Sequence, residues 1–422
     1  RSYIIVGKCK RKRLRLRKRE RRRRRKTKTM PALSDIHILD FTRVLAGPYC
    51  TQLLADFGAE VIKIEQPGAG DITRQWGPPW VGDEAAYYLG VNRNKRSLTL
   101  NLKTEEGKAI ARALAAKADV VMENFLPGTM DKLGLGYADL SAINPSLVYC
   151  ALTGYGQTGP YRDRPGFDFM IQAQGGIMSI TGPEDGEPYK VGVAVADITT
   201  GLFAANAILA ALHYRQKTGQ GQFVDVALLD SQVAWLANVA QNYFAGETPA
   251  RYGNAHASLV PYQVFATQDS HIAIAVGSDG QYKSLCECAG CMELWHDARF
   301  KTNPGRVVNR AELVAKLERV FAQKNTADWM PILLKADVPA SPINDVPTIL
   351  NDPHILARGM VQEMAHPTLG AVKVLGPVAK LSETPATLRI PPPTLGQDTA
   401  AILSELGYTA QDIAELQKKK SI

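Results

Sequence analysis

No unbroken apolar run in the 422 residues reaches the roughly 18 to 20 side chains that a membrane-crossing helix needs. The longest candidate, around residues 202–212, contains Asn206 and is too short. The six cysteines, Cys9, Cys50, Cys150, Cys286, Cys288 and Cys291, show no paired framework, and no secretory signal accompanies them. That argues against a disulfide-stapled fold and for reduced thiols. The G-x-G-x-x-G turn of dinucleotide enzymes is missing. The first turn reads Arg43-Val44-Leu45-Ala46-Gly47-Pro48, although Glu65 lies where a ribose-binding acid would. No G-x-S-x-G elbow and no Ser-His-Asp order is present. Outside the N-terminal leader there is no internal repeat and no low-complexity tract.

What is present is an ordinary globular composition, 45% hydrophobic and 22% charged. The net charge of +9 comes from one end. Residues 1–29 hold 17 of the 50 Lys and Arg and one of the 41 acids, which leaves 33 basic against 40 acidic residues, net −7. The leader, with Arg21–Arg25, fits a nucleic-acid-binding arm, an Arg-rich transit peptide or in-frame upstream sequence. The last reading is favoured, with Met30 as the start, and each leaves the leader outside the fold.

From Ile36 to Glu65 the pattern is strand, helix, strand, with Gly58 as a helix stop. Such a unit implies parallel strands and an α/β layer architecture. Strands are expected at 97–102, 119–123, 147–152 and 191–196, and helices at 104–117, 137–143 and 200–215. The fold class is therefore α/β, with a large doubly wound, Rossmann-like domain. Residues 262–267 and 272–276 suggest antiparallel pairing in a smaller α+β domain. Helices return at 310–323 and 327–336. Residues 339–347 read as a linker, 372–375 as a strand and 398–406 as the last helix. The domain reading is a leader at 1–29, a large domain beginning at 31–225, a linker and small domain at 226–345, and a C-terminal segment at 346–422 that returns to the large domain.

Asp197 is the sharpest single residue. It follows the apolar 191–196 run and precedes Thr199, Thr200 and Gly201 at a helix start. A positive helix end would lower its pKa and keep it ionised, as a carboxylate nucleophile requires. A plain N-cap is the competing reading. Asp168 sits in Pro165-Gly166-Phe167-Asp168, a context typical of a turn acid. His256 lies in a loop and reads as bonded to its own backbone. Arg74, residues 92–96, Lys103, Asn124 and Lys132 could hold phosphates or simply line a solvated surface. Cys286, Cys288, Cys291 and His296 lack the second half of a metal knuckle and read as a helix packing its thiols as hydrophobes.

Several segments together resemble one family. They are Leu39 to Pro48, residues 60–71 (EVIKIEQPGAGD), Asn94-Lys95-Arg96-Ser97, Glu123-Asn124-Phe125 with Pro127-Gly128, residues 154–160, 166–176 and 192–201, and 217–225 (KTGQGQFVD). The chain resembles the class III CoA transferases, which include formyl-CoA and carnitine CoA-transferases. The likeness runs from about residue 32 to the C-terminal helix. It implies an interlocked homodimer, with the C-terminal segment packed on the large domain. It also implies that Asp197 is the nucleophile, forming an aspartyl-CoA thioester. CoA contacts then fall on Val44, Leu45, Ala46, Gln66, Leu100, Lys103, Asn124 and Lys132. Leu126 stands where many members carry Arg, so one contact is missing. The active-site loop of formyl-CoA transferase is glycine-rich, and its counterpart here, residues 256–260, is not.

The likeness also covers α-methylacyl-CoA racemases, but Phe167 replaces their proton-exchanging histidine. Residues 231–310 look most like succinyl-CoA-dependent enzymes acting on dicarboxylates such as glutarate. His256, Ser258 and Asp168 are the expected substrate contacts, with a nearby arginine. The resemblance implies CoA thioesters as substrates, with no tightly bound cofactor and no metal. It implies no nucleic-acid or membrane partner, and a cytoplasmic rather than mitochondrial-matrix location. A non-catalytic CoA-binding protein is the alternative.

Overall fold

The computed structural model describes residues 30–422, so the leader lies outside the described residues. The chain divides into two compact units. The first comprises the chain to Thr153, Gly201–Val226 and Gly359–Ile422. Its sheet has six strands: β1 His37–Asp40, β2 Glu60–Glu65, β3 Lys95–Thr99, β4 Val120–Glu123, β5 Val148–Thr153 and β6 Gln222–Ala227. Their order is β3-β2-β1-β4-β5-β6. The pairs β1–β2, β1–β4, β2–β3 and β4–β5 are parallel, with Ile38 opposite both Val61 and Val120. Every residue of β4 and β5 is buried, which is why these strands read as unbroken apolar runs rather than alternating ones. The order reverses between β1 and β4, and a ligand site is expected beyond their carboxyl ends.

Helix α1, Ala46–Asp56, crosses from β1 to β2. It ends before Gly58, whose φ of 116° suits glycine. Helix α2, Glu105–Ala115, is capped by Thr104, carries Glu105 and Glu106 in its first turn, and buries Ile110, Ala111 and Leu114. The core joins these residues to Leu39, Leu98, Val121 and Tyr149, and to Ile402, Leu403 and Leu416 of the C-terminal helices Thr399–Glu405 and Ala410–Lys418.

The second unit comprises Gly154–Thr200 and Ala227–Arg358. It holds helix α3, Asp168–Gln174, and the first turn of helix α4, Val195–Thr218. Three short strands, β7 Tyr262–Ala266, β8 His271–Ala275 and β9 Ala340–Pro342, form an antiparallel sheet. Its core gathers Phe265, Phe321, Trp329 and Tyr282 with Cys286 and Cys291. The cysteines thus pack as hydrophobes, and among the described residues no group of three or more His, Cys, Asp or Glu could hold a metal ion.

Three local expectations fail. Residues 191–196 form no strand, because helix α4 already begins at Val195. The Pro-rich 339–347 stretch is not a bare linker: β9 pairs with β8 there, and helix Val346–Leu350 follows. The chain also continues past Glu405 into helix Ala410–Lys418, started by a Thr409–Asp412 capping box. Finally, α4 is long and apolar enough by length and composition to cross a membrane, at mean hydropathy 1.6. A count of unbroken apolar side chains misses it. In the protein 56% of its most apolar window is buried.

Candidate active site

In the first unit a cavity of about 910 Å³, open to solvent, lies beyond the carboxyl ends of the parallel strands. Gln66, Leu100 and Lys103 line it, together with Arg43 and Phe125. The Arg43 guanidinium stacks over the Phe125 ring at 4.7 Å. Neither Arg43 nor Phe125 was singled out in the sequence, although both sit in quoted motifs two or three residues beyond a strand. Asn124 does not line the cavity. It holds the turn instead, accepting the Arg43 N–H at 2.9 Å and donating to the Arg43 carbonyl at 2.8 Å. Lys132 lies exposed at the end of the short helix Thr129–Lys132.

Val44, Leu45 and Ala46 form the turn into α1. Val44 has φ of 72°, a region that a β-branched residue occupies only when its surroundings force it. Here they do. The Asp71 carboxylate accepts the Val44 N–H at 3.3 Å, and the buried Lys63 ammonium donates to the Thr42 carbonyl at 2.8 Å. Lys63 also pairs with Asp71 at 2.9 Å. Asp40 accepts from Thr42 and Thr51, and from Lys95 at 3.3 Å. Burial pulls the Lys95 ammonium down to about 8, against the opposing pull of Asp40.

This network also decides what the basic cluster does. Arg74 makes a two-point pair with Glu65 at 2.8 and 2.9 Å and a further pair with Glu84 at 3.0 Å. Arg93 pairs with Asp56 at 2.6 Å, and Asn94 donates to the same carboxylate at 2.8 Å. Arg74 and Arg93 are therefore committed ion pairs, not free phosphate ligands. Glu65 accepts from Arg74 and, at 2.6 Å, from Ser97, which leaves it poorly placed to hold a ribose.

In the second unit Asp197 lies in the first turn of α4. It is not the cap of that helix. Asp168 fills that role, accepting the Ala196 N–H at 2.8 Å and the Asp197 N–H at 3.4 Å. Burial, and then the charge of Asp168, push the Asp197 carboxyl up to about 7. The direction is opposite to that expected from the helix end alone, because desolvation and a like charge outweigh the dipole. Phe167, 58% exposed, precedes α3 and has no proton to exchange.

His256 and Ser258 lie together on the wall of another cavity, about 730 Å³ with its open mouth, which also presents Asn238, Asn242, Glu247 and Tyr252. The His256 Nδ1 accepts the Ser258 N–H at 3.0 Å, so in the neutral ring Nε2 carries the hydrogen. Behind this loop Arg310 donates to the His256 and Ala257 carbonyls at 2.9 and 2.6 Å.

A family model described as CoA-transferase family III matches residues 33–399. The chain belongs to that family. It is a CoA-transferase. It is 47% identical over 386 residues to the human succinyl-CoA:glutarate CoA-transferase, covering 91% of this chain and 88% of that one. It is 44% identical to the Agrobacterium fabrum succinate–glutarate CoA-transferase, covering 89% and 96%. The crystal structure of a CaiB/BaiF family protein from Brucella suis is similar at a TM-score of 0.80 and 46% identity, covering 89% of this chain and 99% of that one.

Proposed function

We propose that this CoA-transferase moves CoA from succinyl-CoA to a small dicarboxylic acid such as glutarate, through a thioester on Asp197. The observation that carries the reading is the Asp197 carboxyl itself, in a helix first turn and held near pH 7 by burial and Asp168. A carboxylate whose charge is disfavoured is a strong nucleophile that gains by becoming neutral. The relatives support the choice of acids.

Asp197 attacks the succinyl-CoA carbonyl carbon, and the C–S bond breaks to release CoA thiolate and leave a mixed anhydride. The thiolate then attacks the aspartyl carbonyl, expelling succinate and leaving aspartyl-CoA. The acceptor carboxylate reverses both steps. Because the activated bond is always handed on, no energy is lost to water provided that water is kept out. In the first unit Arg43 and Lys103 supply positive charge to the CoA phosphates in the cavity they line. His256 Nε2–H and Ser258 meet the distal carboxylate of the diacid. The active form is a homodimer, a reading supported by the exposed apolar side chains of Phe167, Phe169 and Met170.

The test is to incubate the protein with succinyl-CoA, add hydroxylamine, and read the mass of the Asp197 peptide. An aspartyl hydroxamate is expected. An unmodified Asp197 with succinyl-, acetyl- and formyl-CoA alike would overturn the reading.

A further inference from the structure

We propose that Asp168, locked in place by Gln172, is a positioning residue that orients the Asp197 nucleophile and drives it toward its covalent states; the inference rests on the aspartyl-transfer reading above. Gln172 is fully buried. Its Nε2 donates to Asp168 Oδ2 at 2.7 Å and to the Val193 carbonyl at 3.3 Å, and its Oε1 accepts the Val191 N–H at 2.8 Å. A flipped amide would set donor against donor at Val191, so the side chain has one orientation. It holds one oxygen of Asp168 and leaves the other for the first-turn N–H groups of Ala196 and Asp197. A single carboxylate thereby caps a 24-residue helix and sets its charge against that of the Asp197 carboxyl.

Burial disfavours the Asp197 charge most, and among the described residues Asp168 is the charged group that adds to it. The next cation along the chain, Lys190, turns its ammonium onto the Val191 carbonyl at 3.3 Å. Two negative charges therefore face each other only while Asp197 is a free carboxylate. When an Asp197 oxygen bonds to the thioester carbon, the C–S electron pair leaves on sulfur and the charge departs with CoA. When thiolate attacks the aspartyl carbon, the anhydride C–O bond breaks and the charge departs with the donor acid. In both covalent states Asp197 is neutral and the repulsion is gone. The fixed charge of Asp168 thus favours the anhydride and the thioester over the resting carboxylate. It also raises nucleophilicity, with the consequence that Asp197 is part-protonated below neutral pH.

The experiment is single-turnover formation of the covalent adduct from succinyl-CoA, read by intact mass after acid quench from about pH 5 to about pH 9. Wild type is expected to show an acid limb near pH 7, as the ionised fraction of Asp197 grows. Asp168→Asn moves that limb down by about one pH unit or more and slows the plateau about tenfold. Gln172→Ala slows the plateau without moving the limb, since the charge stays. In the double variant Asp168→Asn with Gln172→Glu, the new carboxylate accepts from Val191 N–H and from the amide introduced at position 168, but loses the bond to the Val193 carbonyl. The hold on position 168 is restored with the charge moved one side chain farther from Asp197, so the limb stays low while the plateau recovers in part. Should Asp168→Asn fail to fold, the double variant carries the same test. An adduct in wild type with an unmoved acid limb in both Asp168 variants overturns this inference alone. No adduct in wild type at any pH overturns the transfer reading beneath it.

Discussion

Asn124 grips Arg43 by both of its backbone polar groups, accepting its N–H at 2.9 Å and donating to its carbonyl at 2.8 Å. Asn124 follows β4 and Arg43 follows β1, so this one amide ties together the two turns at the point where strand order reverses. Asn124→Ala removes both bonds from groups that water can reach, so its stability cost is about 1 kcal/mol. The larger effect falls on the ligand. With the turn loosened, Arg43 no longer stacks on Phe125 at the cavity. The expected result is a KM for succinyl-CoA raised about tenfold, with kcat changed less than about threefold. Steady-state kinetics with thermal unfolding separates the two effects.

Arg74 was a candidate phosphate ligand in the sequence and is an ion-pair hub in the fold. It is bound to Glu65 and Glu84, donates to the Pro393 carbonyl, and stacks over Tyr88 at 3.7 Å. Arg74→Ala takes the paired cation from two carboxylates, Glu65 buried and Glu84 largely so. Breaking such a pair costs about 3–5 kcal/mol. Calorimetry should show a large fall in Tm. If folded protein is recovered, its KM for acyl-CoA should lie close to wild type, whereas a phosphate ligand would show the reverse pattern.

These two residues show what the sequence carried and what it hid. The first strand–helix–strand was legible because apolar runs and the Gly58 stop are local signals. The ends of β4 and β5 were legible to within a residue, whereas β3 stops at Thr99 rather than at 102 and β6 was not foreseen. Residues 191–196 misled because Val191, Val193 and Val195 alternate like a strand, while Gln172 and Asp168, distant in sequence, capture the N–H groups of Val191, Ala196 and Asp197. Arg74 and Arg93 misled because Glu65, Glu84 and Asp56 become their partners only in the fold. The prolines of residues 339–347 read as a linker, yet Pro342 sits in an outer strand of its sheet, where a missing N–H is tolerated. The Asp197 shift could not be read at all, since burial is a property of packing.

His256 gives a prediction about the acceptor. Its Nδ1 is occupied by the Ser258 N–H, so Nε2 is the nitrogen that can reach a carboxylate. His256→Gln keeps a donor of similar reach, and His256→Ala removes it. The expected order of glutarate KM is wild type, then Gln, then Ala, with the Ala variant raised about tenfold or more. Hydroxamate formation at Asp197 from acetyl-CoA, whose acyl group has no distal carboxylate, should change less. Equal damage to both measurements would remove His256 from the acceptor site.

Asp197→Asn should abolish transfer, by about a thousandfold or more, and also stabilise the protein in a pH-dependent way. The folded protein binds the Asp197 proton more tightly than the unfolded chain does, with the carboxyl at about 7 against an ordinary 3.8. Stability therefore falls as pH climbs from near 4 to near 7, because the folded state must release a proton that the unfolded chain has already lost. Asn carries no charge at any pH and escapes that loss. Above pH 7 the variant should be more stable by about 1–3 kcal/mol, a figure kept below the full linkage value because Asp197 is only partly buried. Between pH 7 and pH 4 the difference should shrink, and below pH 4 it should vanish as both states hold the proton. Denaturant unfolding of the two proteins at pH 8 and pH 4 measures it directly. A difference that grew toward acid would mean that Asp197 is stabilised as a carboxylate, and the charge repulsion from Asp168 would lose its place in the mechanism.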